Sequence, residues 1–380
     1  MTIQHSKLIV IVLTLCSLFF NSCEEDNVID DFLNPVPTFS IDQFEQNIID
    51  AFEGNTTGFS YTIALNGQKV AGGAKGHAIV PGTSSEFPNG TVMTEKTRMH
   101  IASVTKPITA IALYKALENS TATLNSPFVN YLPSTWIIDP SYNDITLQQL
   151  VEHTSGIVAG GTKYEDQKNM LETVEVLAND KNNYEYNNAN YSLFRIIIPY
   201  IIESNYLQGI ENSDSFLSVE LIRIFQEYLQ NEVASPADVT VKWQNDRDKP
   251  TLLYNFDDPT FSPWNTPDYS EGCGAFGLYL STFDIAAIMA YAKHSNSYLN
   301  ASSRESFFDN DIGLKTTSGE HGTYLHHGGD WYTSSPRRGM MGTTMIFTNN
   351  VEATILINCR EGSHGSDGTE LKNAFDNAWN

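Results

Sequence analysis

The hydrophobic and polar positions of this chain predict strands near both ends and helices between them. An opening helix is predicted over roughly Ile41 to Phe52. Two strand-like runs, 59–65 and 69–72, flank Asn66 and Gly67, a dipeptide that favours the tight turn of a β-hairpin. The end of the chain returns to strands, including 353–358, and finishes with a helix near Gly368 to Trp379. The pattern therefore combines helices and strands in one chain.

The middle of the chain is predicted to be helical and rich in loops. Residues 108–117 place apolar side chains at helical spacing. Pro107 is tolerated only in the first turn of a helix, where its missing N–H costs nothing. A helix should therefore begin close to Ser103. The stretch that follows, over about 120–270, is rich in Asn, Tyr and Leu and shows few strand signals.

The first 22 residues have the pattern of a signal peptide. Lys7 precedes a nearly continuous apolar run from Leu8 to Phe20, which is too short to span a bilayer. The sequence Asn21-Ser22-Cys23 then resembles a lipoprotein cleavage site. We expect cleavage before Cys23 and lipidation of its thiol, although a buried structural cysteine is the alternative.

Residues 23–38 are predicted to form an acidic, proline-containing tether, with the globular domain over 39–380. The acidic run directly after Cys23 is similar to the surface-export signal of lipoproteins in some Gram-negative bacteria. These features predict a lipid-anchored protein of the bacterial cell envelope. The outer membrane is the expected location, with the protein facing either the periplasm or the cell surface.

Charge limits the partners of this domain. The chain has 45 acidic and 22 basic residues and a net charge of −23. Such a charge repels nucleic acid and anionic lipid head groups, so nucleic acid is not expected as a partner and membrane contact is expected only through the lipid anchor. After removal of the signal and lipidation, Cys273 and Cys359 remain, and the sequence leaves open whether they pair.

Ser103 and Lys106 are the candidate nucleophile and base. Residues three positions apart lie on the same face of a helix, one turn apart, so the amine can take a proton from the hydroxyl. A serine at a helix N-terminus also lies in the field of unpaired backbone N–H groups. The Ser-x-x-Lys spacing alone is common by chance, so its weight depends on what accompanies it.

The segment 99–106 resembles the nucleophile segment of the serine β-lactamase and penicillin-binding-protein superfamily. Further segments resemble the same superfamily, in the order it requires. Tyr186-Asn187-Asn188 looks like its Tyr-x-Asn element, and residues 326–329 look like the His-x-Gly form of its Lys-Thr-Gly strand. Residues 147–157 and 274–284 resemble two of its non-catalytic segments. Within these, His153 and Ser155 are predicted to form a buried turn network.

This resemblance implies a role for each residue of the second motif. Tyr186 is expected to share the proton of the serine, because a phenol beside an ammonium favours its anionic form. Asn188 is expected to donate to the carbonyl of the substrate and to steady Lys106. The alternative is a loop rich in Tyr and Asn that leads into the apolar helix after it and has no chemical role.

The third motif implies an oxyanion hole and a substrate-binding strand. Gly328 lets a substrate lie against the strand, and the N–H groups of Gly329 and Ser103 are expected to hold the oxyanion. His326 is expected to position the substrate. Adjacent histidines also allow a metal site, but no metal-binding spacing accompanies them, so we expect neither a metal nor another cofactor.

The resemblance implies an α+β fold in which an antiparallel β-sheet flanked by the terminal helices packs against an inserted all-helical region. It implies a serine hydrolase that forms an acyl-enzyme and cleaves an amide or ester, such as a D-alanyl peptide of peptidoglycan type or a small ester. A β-lactamase is the alternative, disfavoured because the imidazole of His326 holds a carboxylate less well than an ammonium does. A non-catalytic binding or scaffold protein remains a further alternative of a different class.

Overall fold

The computed structural model describes residues 37–310, 312–360 and 367–380. The described residues divide into two units, one with residues 37–40 and 379–380 and the other within residues 41–378. In the first unit, Thr38 and Asn380 exchange backbone hydrogen bonds of 3.0 Å beside an antiparallel bridge between Phe39 and Trp379. The predicted signal peptide, Cys23 and the tether up to residue 36 lie outside the described residues.

The second unit contains a nine-stranded sheet, counted over the described residues. The strands are β1 (Gly58–Leu65), β2 (Gln68–Ile79), β3 (Thr91–Val92), β4 (Met99–His100), β5 (Tyr254–Asn255), β6 (Tyr279–Leu280), β7 (Lys315–Gly319), β8 (Gly322–Tyr332), β9 (Gly339–Ile346), β10 (Val351–Ile357) and β11 (Cys359–Arg360). The strand order in the large sheet is β11-β5-β9-β10-β1-β2-β3, and β8 pairs with β9 and with β7. Every pairing in this sheet is antiparallel except the one between β11 and β5, while β4 and β6 form a separate antiparallel pair.

Helices form the remainder of this unit, together with short 3₁₀ turns and a π-helical turn at Leu229–Ala234. The α-helices are α1 (Ile41–Phe52), α2 (Thr105–Glu118), α3 (Leu147–Val151), α4 (Tyr164–Thr173), α5 (Asn188–Ser192), α6 (Phe194–Gln208), α7 (Asp214–Tyr228), α8 (Thr282–His294), α9 (Ala301–Asp309) and α10 (Thr369–Asp376). Between α2 and β6, the short β5 is the one strand in the described residues. This stretch is therefore mostly helices and loops, as the resemblance implied for the inserted region.

The sheet is built from distant parts of the sequence because β10 pairs with β1. The hairpin of β1 and β2 turns at Asn66 and Gly67, which have φ angles of 52° and 73°, as the dipeptide predicted. The terminal helices pack through aromatic rings, since Phe44 of α1 and Phe375 of α10 meet edge to face with centroids 5.6 Å apart. The predicted α+β fold with an antiparallel sheet and terminal helices is confirmed.

Two other features of the described residues bear on the sequence predictions. None of the helices there combines the length and the hydrophobicity that a membrane crossing requires. Cys273 and Cys359 are both buried, and no disulfide joins one to the other. The sequence left open whether these two cysteines pair with each other, and in the structure they do not.

Candidate active site

Ser103 lies where a strand turns abruptly into a helix. β4 pairs with β6, and a 3₁₀ turn at Ala102–Val104 then leads directly into α2. Ala102 is fully buried and has a φ of 47°, a left-handed conformation that costs a non-glycine residue about 1 kcal/mol or more. Pro107 falls in the first turn of α2, as predicted. This strained turn places the Ser103 hydroxyl at the start of the helix.

Lys106 points its amine at the Ser103 hydroxyl from one turn further along. The Nζ of Lys106 lies 2.9 Å from Ser103 Oγ, 2.8 Å from Asn188 Oδ1 and 2.9 Å from the carbonyl oxygen of Ala275. Its side chain is fully buried. The predicted proximity of Ser103, Lys106 and Asn188 is thus present in the structure.

Tyr186, which is 83 residues further along the chain, contacts the same serine. Its hydroxyl donates to Ser103 Oγ at 2.7 Å. The loop that carries it is fixed by His153, whose Nδ1 accepts a hydrogen bond from the backbone N–H of Asn187 at 3.3 Å. The rings of His153 and Tyr186 lie 4.6 Å apart between centroids. The turn network at residues 153–155 therefore positions Tyr186, and it is buried as predicted.

The protonation states of this pair differ from the sequence-based expectation. Burial raises the pKa of Tyr186 to about 12, although its hydrogen bond to Ser103 opposes the shift. Burial, with a smaller contribution from the charge of Lys315, holds the pKa of Lys106 well below its usual value. The expectation that an ammonium would favour an anionic Tyr186 is wrong here. The structure instead favours a neutral phenol and a neutral amine.

The third motif lies on β8, beside the nucleophile. A Cβ on Gly329 would stand 2.4 Å from the carbonyl oxygen of Ile101 and 3.1 Å from the backbone nitrogen of Ser103, so only glycine fits this approach. Gly328 and His326 lie on the same strand and line the cleft that contains Ser103. The strand is thus close enough for its backbone to contact a group bound at Ser103.

The catalytic cleft is a cavity of about 350 Å³. Besides the predicted residues, its lining includes three charged side chains, those of Lys315, Asp330 and Asp367. Lys315 pairs in register with His326 across β7 and β8, and its Nζ lies 5.2 Å from the centroid of the Tyr186 ring. The sequence reasoning missed all three charges.

The two histidines of β8 are uncharged at neutral pH. Burial and the nearby Lys315 lower the pKa of His326, while Asp367 opposes them. Burial holds the pKa of His327 well below its usual value, and its Nδ1 donates to the carbonyl of Gly328 at 2.8 Å. Within the described ranges, no group of three or more His, Cys, Asp and Glu side chains is arranged to hold a metal ion.

Comparison with known proteins finds a family model that covers most of the chain. The family model described as Beta-lactamase matches residues 41–372. Protein flp of Staphylococcus aureus is 27% identical over 175 residues, which is 43% of this chain and 34% of that protein. The chain therefore spans about a third of the length of this relative.

Solved structures share the fold at low sequence identity. A Beta-Lactamase/D-Alanine Carboxypeptidase from Pseudomonas syringae superposes with a TM-score of 0.64 at 14% identity, covering 88% of this chain and 97% of that one. A D-amino acid amidase from Ochrobactrum anthropi gives a TM-score of 0.63 at 15% identity, covering 88% and 95%. At such identities, the likeness establishes the fold alone.

Proposed function

This chain belongs to the beta-lactamase family of serine hydrolases, and from that premise we propose that it hydrolyses an amide or ester through an acyl-enzyme on Ser103. The observation that carries the proposal is the convergence of Lys106 Nζ and the Tyr186 hydroxyl on Ser103 Oγ, at 2.9 and 2.7 Å. A nucleophile with an adjacent base is the arrangement that covalent catalysis requires.

The hydrogen bonds define a route for the proton. A neutral Lys106 amine has two hydrogens, which the oxygens of Asn188 and Ala275 accept, and one lone pair, which faces Ser103. Ser103 Oγ can then attack the carbonyl carbon while its proton passes to Lys106. The oxygen of the carbonyl becomes an oxyanion, which the N–H groups of Ser103 and Gly329 stabilise.

Collapse of the tetrahedral intermediate breaks the bond to the leaving group. The leaving atom takes a proton from Tyr186, whose high pKa keeps it protonated, and the proton that Lys106 took from Ser103 then restores Tyr186. Water next attacks the acyl-enzyme and gives a proton to Lys106. When this second intermediate collapses, Lys106 returns that proton to Ser103 Oγ, which releases the acid and restores the free serine. Every step uses side chains of this chain, and the sequence gives no reason to invoke a metal or a cofactor.

The substrate class that we propose is a D-alanyl peptide or a small ester. The Beta-Lactamase/D-Alanine Carboxypeptidase and the D-amino acid amidase that share the fold support an amide bond beside a D-amino acid, and the first of them supports a β-lactam as well. A β-lactamase would use the same residues and is the alternative substrate assignment. A non-catalytic scaffold is disfavoured because Ser103, Lys106 and Tyr186 are all present and hydrogen-bonded.

Intact-mass spectrometry tests the acyl-enzyme directly. The protein is exposed separately to a fluorophosphonate, a penicillin and a p-nitrophenyl ester. We expect an adduct on the wild type and on the control Ser218→Ala, since Ser218 bonds only to the carbonyl of Ser215 on the surface of α7. Ser103→Ala should carry no adduct and should lose several orders of magnitude of esterase activity. An adduct on folded Ser103→Ala, or esterase activity within about tenfold of the wild type, refutes the proposal.

The anchor predicted from the N-terminal sequence is a separate proposal. We infer that the mature chain begins at Cys23, is lipidated there and is held at a membrane of the cell envelope. The apolar run from Leu8 to Phe20 and the Asn21-Ser22-Cys23 sequence support it.

A further inference from the structure

A second cavity of about 420 Å³ adjoins the catalytic cleft, and Lys315 and His327 line both. Its volume falls within the range of small-molecule sites, roughly 300–1,000 Å³. We propose that this second cavity is the leaving-group subsite, and that Lys315 selects leaving groups in which an apolar or aromatic body carries a carboxylate. The proposal rests on the proposed function, because the ligand is part of the substrate cleaved at Ser103.

The walls of the second cavity fit an apolar body. Its lining includes Val151, Leu314 and the rings of Tyr184 and Tyr191. Tyr184 is 55% exposed, so part of its ring is open to a group that enters the cavity. An aromatic or branched group that enters the cavity would cover this ring.

Lys315 supplies the charge. Its side chain is exposed at the start of β7, and its Nζ lies 5.7 Å from the centroid of the Tyr184 ring. In the described parts of the chain, no carboxylate forms an ion pair with it. An ammonium that borders two cavities and has no carboxylate partner is available to an anionic ligand.

His153 also lines the second cavity. Its Nδ1 accepts from the backbone N–H of Asn187 and lies 3.2 Å from Nδ2 of Asn190, whose Oδ1 is engaged by Ser155. Both contacts supply hydrogens to Nδ1, so the ring proton is on Nε2. The residue is 5% exposed, and Nε2 is buried without a hydrogen-bond partner within the described residues. The imidazole is therefore a wall of the cavity, and recognition of an anion there falls to Lys315.

The second cavity contains fewer carboxylates than the catalytic cleft. The cleft is lined by Asp367 and by Asp330, which forms an ion pair with Arg360 at 3.0 Å. The second cavity contains one carboxylate, Glu152, whose Oε1 accepts from Gln148 at 2.7 Å. Lys315 is the one lysine or arginine among the described residues that line it.

The position of Tyr186 identifies the ligand as the leaving group. The ring of Tyr186 lies 4.8 Å from the Nζ of Lys106 and 5.2 Å from that of Lys315, so a group held at Lys315 is one aromatic ring away from the catalytic amine. The Tyr186 hydroxyl is also the group that we assign to protonate the leaving atom. A leaving group bound beside Tyr184 and Lys315 is thus next to its proton donor.

The test compares meta-carboxyphenyl acetate with its neutral methyl ester, which share the acetylated aryl ring, while only the first has a charged leaving group. We measure kcat/KM for both esters and take the ratio of anionic to neutral, which does not depend on the fraction of folded enzyme. The ratio should fall about tenfold or more in Lys315→Met, the loss expected for one charge-assisted contact. The matched control Lys249→Met, at an exposed lysine outside both cavities, should keep the wild-type ratio.

Lys315→Glu should reverse the preference, so that meta-trimethylammoniophenyl acetate becomes a better substrate than the anionic ester. This gain cannot arise from misfolding. An unchanged ratio in Lys315→Met, with activity that still requires Ser103, overturns the subsite and leaves the proposed function intact. Hydrolysis of both esters that persists in Ser103→Ala overturns the proposed function and the subsite with it.

Discussion

The side-chain nitrogen of Lys106 lies 2.9 Å from the hydroxyl oxygen of Ser103, and the side chain of Lys106 has no exposed surface. Burial of an amine without a carboxylate partner disfavours its charged form. The polar groups around the nitrogen, from Asn188 and Ala275, are neutral oxygens. The fold therefore prepares a lysine that can act as a base without a histidine or an aspartate.

Replacing Lys106 with Arg should abolish esterase activity almost as completely as replacing it with Ala. A guanidinium keeps its proton, so it cannot accept the one that Ser103 must lose. We expect losses of about 10³-fold or more in kcat/KM, measured with an activated ester. Lys115→Arg, on the same helix but at a partly exposed position, is the matched control and should remain active. An active Lys106→Arg enzyme would show that the residue acts only as a fixed charge.

The pH dependence of kcat/KM for a neutral ester should report the protonation of Lys106. The pKa of Lys106 is lowered, so the reactive neutral amine forms at a lower pH than an ordinary lysine with a pKa of about 10.5 would allow. Activity should therefore rise with pH, reach its plateau well below pH ~10 and fall as acid protonates the amine. A profile that keeps rising to about pH 10 contradicts this assignment.

The proximity of Ser103 and Lys106 could be predicted because the two residues are close together in the sequence. Ser103 and Lys106 are one helical turn apart, and Pro107 marks the turn at which α2 begins. The spacing of such residues predicts their proximity before any tertiary contact is known. Tyr186 and Gly329 are distant in sequence, and only their motifs connected them to Ser103.

The charges and the burial around the site could not be predicted from the sequence, because they depend on tertiary packing. Lys315 begins a short, mostly polar strand without an alternating apolar pattern, and it reaches the cleft only because β7 pairs with β8. The expectation of a phenolate at Tyr186 was wrong for a related reason. Proximity to a lysine was visible in the motif, but the burial that outweighs it was not.

Acid should destabilise the fold partly through His100. Its ring is fully buried, its centroid lies 4.6 Å from that of Tyr269, and neither nitrogen has a partner within the described residues. Burial lowers the pKa of His100 to about 3, against about 6.5 in an unfolded chain. The neutral ring therefore contributes stability fully above about pH 6.5, and the contribution is lost as the pH falls toward 3.

The variant His100→Phe should make stability less dependent on pH. One group of this kind costs up to about 1.4 kcal/mol per pH unit in the free energy of unfolding. Urea denaturation between about pH 7 and about pH 5 measures the slope. Tyr269→Phe changes the ring beside His100 without removing a group that titrates in this range, since the pKa of Tyr269 is raised to about 12, and it should retain the wild-type slope. Equal slopes for His100→Phe and the wild type would mean that His100 does not titrate on unfolding.

Growth of cells in labelled palmitate should tag the full-length protein at Cys23. The lipid carries the attachment to the membrane, so Cys23→Ser should lose the label and move to the soluble fraction. Cys273→Ser changes a buried free thiol instead and should keep both the label and the membrane attachment. A wild-type protein recovered unlabelled in the soluble fraction rules out the anchor.

His326 and Lys315 make different predictions for an anionic substrate, although they face each other across two strands. The lowered pKa of His326 leaves it neutral at pH 7, with Lys315 and Asp367 as its charged neighbours. If His326 captured the carboxylate, the preference for the anionic ester over its neutral methyl ester would grow as the pH falls below about 6.5, because the pKa of His326 is lowered from that value. Capture by Lys315 does not depend on the protonation of His326, so the preference should then not grow as acid protonates the imidazole. The variant His326→Gln should accordingly retain the wild-type preference at pH ~7 to within about threefold, whereas Lys315→Met loses it. A preference that rises steeply in acid and disappears in His326→Gln would assign the selection to the imidazole and remove it from Lys315.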